Sequence, residues 1–99
     1  MTQTGSVLVT PRGYVGLMRP RRLLQRLLAG HLQNVGFRDV IRLAEAFGFQ
    51  VVRVRGGHNI LAHERIDRQL NLQEVGGEAK PYQIRQLLEL VQQYDLELK

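Results

Sequence analysis

The hydrophobic period of this chain changes at Gly48, so neither an all-helical nor an all-strand fold can accommodate it. Before that point, "FRDVIRLAEAFG" carries Val40, Ile41, Ala44 and Phe47 on one helical face, with Asp39 in the first turn and Gly48 as the stop. After it the period is two: "FQVVRVR", then "HNILAH" beyond a glycine pair, then "RQLNLQ" with Leu70 and Leu72 on one face. Three short strands in succession predict an antiparallel meander. Helical patterns flank this region. "PRRLLQRLLA" places Leu23, Leu24, Leu27 and Leu28 opposite Arg22, Gln25 and Arg26, with Pro20 in the first turn and Gly30 as a stop. "VGGEAK" reads as a loop, and Pro81 opens a last helix in which Ile84, Leu87, Leu88 and Val91 recur at helical spacing.

A three-stranded sheet must bury one face, and the helices beside it in sequence are the available cover, so the expected class is an α+β two-layer sandwich. Its minimal α-β-β-β-α unit spans residues 37–94, with an extra helix in front. A unit of about 60 residues is marginal for a single core, and with no cysteine there is no disulfide or thiolate zinc site to staple it. The leucine stripe of the first helix is therefore expected to add burial, on the core or on a partner. Three segments follow: a disordered tail over 1–17, where "SVLV" is the one short strand to consider, a basic amphipathic extension over 18–35, and the main domain over 36–99. The tail is expected to be dispensable, or translation to begin also at Met18.

The net charge of +5 is not spread along the chain. Residues 1–30 hold five arginines and no acidic residue, whereas residues 31–99 hold nine basic and nine acidic residues. A nucleic acid bound by the main domain must therefore meet a local basic cluster rather than a general positive field. No apolar run approaches the roughly 20 residues of a membrane span, and the start lacks a secretory pattern, so the expected location is cytoplasmic, with no membrane partner. His31, His58 and His63 fall on separate elements or faces and complete no metal-ligand spacing, and no phosphate-cradling loop with a following Lys and Ser or Thr is present. The expectation is no metal and no cofactor.

One stretch carries chemistry. If Gly56 and Gly57 are the central pair of a tight hairpin in "RVRGGHNI", Arg55 lies opposite His58 and Arg53 opposite Ile60. Arg53, Arg55 and His58 then share one face, with Val52, Val54 and Leu61 on the other. An imidazole beside two fixed cations suits RNA cleavage: a base removes the 2′-hydroxyl proton, and the cations attract and stabilise the phosphate under attack. His63, an odd number of residues on, falls on the opposite face, so a two-histidine acid and base pair is not expected. Spacing alone leaves His58 open as a catalyst, an RNA contact or an ordinary strand residue beside a turn.

"DVIRLAEAFGFQVVRVRGGHNILAH" and "LNLQEVGGEAKPYQIRQLLELV", with the spacing between them, resemble the HicA family of toxins from bacterial type II toxin-antitoxin systems, over roughly residues 20–98. The resemblance implies a double-stranded-RNA-binding-like fold, in agreement with the element order above. It also implies a metal-independent mRNA endonuclease (an mRNA interferase) held inactive by a HicB-type antitoxin. The family's functional histidine follows a Gly-Ser pair after the first strand, which maps onto His58. Lys80, Pro81 and Arg85 match a recurrent Lys-Pro and later Arg at the start of the last helix, which implies phosphate contacts from Lys80 and Arg85. The chain departs from the pattern at Gly57 in place of Ser, at Asn59 in place of a second His, and at Glu64 in place of Pro. The alternative function is a non-catalytic RNA-binding module or a catalytically weakened member. A third option gives the first helix the role of a protein or membrane-surface contact.

Overall fold

The computed structural model describes residues 18–99; the expected tail over 1–17 and its short strand lie outside the described residues. The elements are α1 (Pro20–Leu28), α2 (Phe37–Ala46), β1 (Gln50–Arg55), β2 (His58–His63), β3 (Ile66–Val75), β4 (Glu78–Ala79) and α3 (Pro81–Gln93). The strands form one antiparallel sheet in the order β1-β2-β3-β4. The class is α+β, compatible with a double-stranded-RNA-binding-like α-β-β-β-α core preceded by an extra helix.

One face of the sheet is covered. Leu61, Leu70 and Leu72 alternate inward and join Val40, Leu43, Ile84 and Leu87 in a single buried cluster. α1 belongs to that cluster through Leu23 and Leu27, so its stripe docks on the domain's own core. The stripe is narrower than four leucines: Leu24 is half-buried and Leu28 is 70% exposed. A polar tie accompanies the packing, since the Met18 backbone N–H donates to Asp39 Oδ1 at 2.9 Å. Burial pushes the Asp39 carboxyl above its ordinary range, opposed by the Met18 N–H and by the charges of Arg42 and Arg26. Arg26 itself folds back on the α1–α2 connection, donating to the carbonyls of Gln33 at 2.6 Å and Asn34 at 3.4 Å.

Two details depart from expectation. "VGGEAK" is a hairpin rather than a loop: Gly76 and Gly77, at φ of 60° and 81°, turn the chain so that Glu78 and Ala79 pair with Val75 and Glu74 and add a fourth strand. Gly56 and Gly57, at 50° and 78°, do the same between β1 and β2, which is why both turns carry glycine pairs. The second departure is in β1, where the register shifts between Val51 and Arg53 and leaves Val52 as the extra residue of a bulge. Val51, not Val52, is then Leu61's partner, while Val52 and Val54 are 52% and 63% exposed.

Candidate nucleic-acid interface

The open face of the sheet is set by the β1–β2 hairpin. Arg55 pairs with His58 and Arg53 with Ile60, the register the two-glycine turn requires. Directly opposed residues point to the same side, so Arg55 and His58 are neighbours with Cβ atoms about 5 Å apart, and Arg53 is the diagonal neighbour at about 7–8 Å. Both arginines are exposed and His58 is half-buried, which leaves the imidazole approachable with its ring supported from one side.

That support comes from β3. His58 Nδ1 lies 3.2 Å from Asn71 Oδ1, and since a carboxamide oxygen only accepts, the contact is a hydrogen bond in the ring form that carries a proton on Nδ1. With the proton on Nδ1, the other ring nitrogen, Nε2, is the one turned away from Asn71. Asn71 was not among the residues singled out from sequence. The signal was present: Leu70 and Leu72 point inward, so Asn71 and Gln73 must point outward, and β3 is antiparallel to β2. What the pattern lacked was the β2–β3 register, which pairs His58 with Gln73 and Ile60 with Asn71 and contains a shift between Leu61 and His63.

Lys80 and Arg85 stand farther away. Lys80 is the N-cap residue of α3 and is exposed, just past the short strand that borders β3. Two strand spacings separate its position from β2, about 10 Å. A second residue missed from sequence fixes α3 there: the buried Gln83 accepts the Gln73 backbone N–H at 2.8 Å, satisfying β3 where β4 has already ended. Arg85 is exposed on α3, whose Ile84 and Leu87 pack on the covered face of the sheet. The structure therefore brings Arg53, Arg55 and His58 together, sets Lys80 beyond β3, and keeps Arg85 in the helical layer.

His63 has a different environment. Its Nε2–H donates to the Phe47 carbonyl at 3.0 Å, its Nδ1 accepts the Arg65 N–H at 3.1 Å, and its ring meets Phe49 edge-on at 5.1 Å. Both nitrogens are occupied in tying β2 to the α2–β1 connection, away from the face of His58.

The arrangement on the open face is one imidazole held by Asn71, two exposed cations and a polar floor. The family model for the HicA toxin of bacterial toxin-antitoxin pairs matches residues 37–92, more than half of the chain, from the first residue of α2 to the last but one of α3. Neither a curated protein nor a solved structure matches the chain. The extent of that match, over a fold of the expected order, places this chain in the HicA toxin family of bacterial toxin-antitoxin systems.

Proposed function

We propose that this toxin is a metal-independent endoribonuclease that cleaves mRNA with His58 as its acid-base residue, and that a HicB-type antitoxin neutralises it. The observation that carries the reading is the His58–Asn71 hydrogen bond on a face shared with two arginines. Nε2 of His58 takes the proton of a 2′-hydroxyl, and the freed oxygen attacks the adjacent phosphorus. The guanidinium groups of Arg53 and Arg55 stabilise the charge that accumulates on the phosphorane oxygens. The bond from phosphorus to the 5′-oxygen then breaks, giving a 2′,3′-cyclic phosphate and a 5′-hydroxyl whose proton comes from solvent or from the imidazolium. Lys80 and Arg85 act at a distance from the scissile bond, holding backbone phosphates further along the strand.

The test is cleavage of an end-labelled single-stranded RNA by the purified chain. Wild-type protein should yield a cyclic-phosphate terminus in the presence of EDTA, and His58→Ala should lower the rate by about 10²-fold or more, within the range of positioned acid-base catalysis. Asn71→Ala should lower kcat by about tenfold with KM unchanged, because one hydrogen bond worth about 1.4 kcal/mol orients the ring without holding RNA. Asn71→Asp, which keeps the acceptor, should restore orientation and alter the pH–rate profile. Full activity in His58→Ala would exclude the assignment. Salt-sensitive RNA binding without cleavage would instead select a non-catalytic RNA-binding module.

A further inference from the structure

We propose that the free edge of β1 receives an extended segment of the antitoxin, one whose side chains alternate between apolar and acidic. The inference rests on the toxin reading above for the identity of the partner, and on the sheet for its chemistry. Among the described residues β1 is an outer strand, bordered by β2 on one side only. Because Arg55 and His58 flank a two-residue turn they form a hydrogen-bonded pair, so Val54 and Asn59 form the next, non-hydrogen-bonded pair. The N–H and C=O of Val54 therefore point away from β2, towards a side where no strand lies among the described residues and another strand can take them.

The two faces beside that edge differ in what they accept. On the covered side Val54 shares a groove with Phe37 and Ile41 of α2. Arg38 and Arg42 line the same groove with Glu45 and Glu74, so its formal charges cancel and apolar side chains fit it best. On the open side stand Arg53 and Arg55 with no acidic residue among their ladder partners on β2. A strand laid against β1 sends alternate side chains to these two sides, apolar into the groove and acidic towards the arginines. A second copy of this chain fits poorly, since antiparallel β1–β1 pairing would set Arg53 and Arg55 of the two copies against one another. Carboxylates placed there would also occupy the cations that the proposed reaction uses and crowd His58, which gives inhibition without any contact to the histidine itself.

The probe is a ten-residue capped peptide alternating valine and glutamate, compared with its valine–lysine counterpart, titrated into the full ¹⁵N-labelled chain. The glutamate peptide should shift β1 amide resonances and slow exchange of the Val54 amide, binding at least tenfold more tightly than the lysine peptide. Val54→Pro removes the outward N–H while leaving the β1–β2 ladder intact, a change tolerated on edge strands, and should weaken binding at least tenfold. The pair Arg53→Glu and Arg55→Glu tests the charge independently and should reverse the preference between peptides. Equal binding of both peptides, or shifts confined to α3 and β4, would overturn the proposal. Wild-type RNA cleavage is measured in parallel: peptide docking without cleavage tells against the nuclease reading alone, and cleavage without docking tells against the edge strand alone.

Discussion

Gly48→Ala should destabilise the fold by about 3 to 4 kcal/mol, with more than half of that transmitted through His63. A Cβ at position 48 would lie 2.7 Å from His63 Nε2, and the backbone there has φ of 102°. The backbone contribution, an L-residue held at positive φ, is about 1–2 kcal/mol. The second contribution is displacement of the imidazole. It forfeits the hydrogen bond to the Phe47 carbonyl, about 1 kcal/mol, and the edge-on contact with Phe49, about 0.5–1.5 kcal/mol. For a domain of this size the sum corresponds to a fall in Tm on the order of 20 °C.

A double-mutant cycle separates the two contributions. His63→Ala removes the ring and with it the clash, so adding Gly48→Ala in that background should cost only the backbone strain, about 1–2 kcal/mol. Urea denaturation followed by circular dichroism at constant m-value gives all four stabilities, and the coupling should be about 2 kcal/mol. Additivity within about 0.5 kcal/mol would refute the reasoning, because it would mean that the glycine is required by its dihedral angle and not by the histidine.

Asp39→Asn keeps an oxygen acceptor for the Met18 N–H but carries no charge. Burial raises the folded-state pKa of Asp39, so its contribution is fully present below the unfolded pKa of about 4 and is lost as pH rises through the folded value. The variant should therefore be the more stable protein at pH 7, with the difference vanishing towards pH 3 in a series of thermal melts. Gln83→Leu should leave the Gln73 N–H without its acceptor at the end of β3. The expected cost is about 1–3 kcal/mol, and native-state hydrogen exchange should show the Gln73 amide losing protection. An Arg26→Met variant, which keeps the stem but not the donors to Gln33 and Asn34, should loosen the α1–α2 connection at a cost of about 1 kcal/mol or less, since those bonds are exposed, and should not change RNA cleavage.

What the sequence made legible is what repeats with a fixed period. The helices began at their prolines because a residue without an N–H, with φ already helical, fits the first turn, and Pro20 and Pro81 are the first residues of α1 and α3. The pairing of Arg55 with His58 was legible for a similar reason: a two-residue turn fixes the register on both sides of it. The same rule applied to Gly76 and Gly77 would have turned "VGGEAK" into a hairpin, but only two residues follow before Lys80, too few for a period of two to show.

Registers broken by an extra residue were not legible. Val52 looks like one more inward valine of an alternating strand, and nothing local distinguishes it from Val51; the bulge is settled by how β1 must bend to keep Phe49 buried and Arg53 opposite Ile60 at once. Asn71 was hidden by the corresponding shift in the β2–β3 pair, and Gln83 by an unpaired N–H that exists only because β4 is short. These are properties of strand neighbours, which a one-dimensional pattern does not contain. The consequence for the site is specific. Arg53, Arg55 and His58 are joined by one turn and stay together wherever the hairpin goes, whereas the hydrogen bond that orients His58 depends on β3 keeping its register past the shift at Leu61. The shift consists of two extra β3 residues between Ile66 and Leu70, so deleting two of the three residues 67–69 should restore a regular ladder with Leu61 still opposite Leu70, keep His58 on Asn71 and leave kcat unchanged, in contrast to the loss expected for Asn71→Ala.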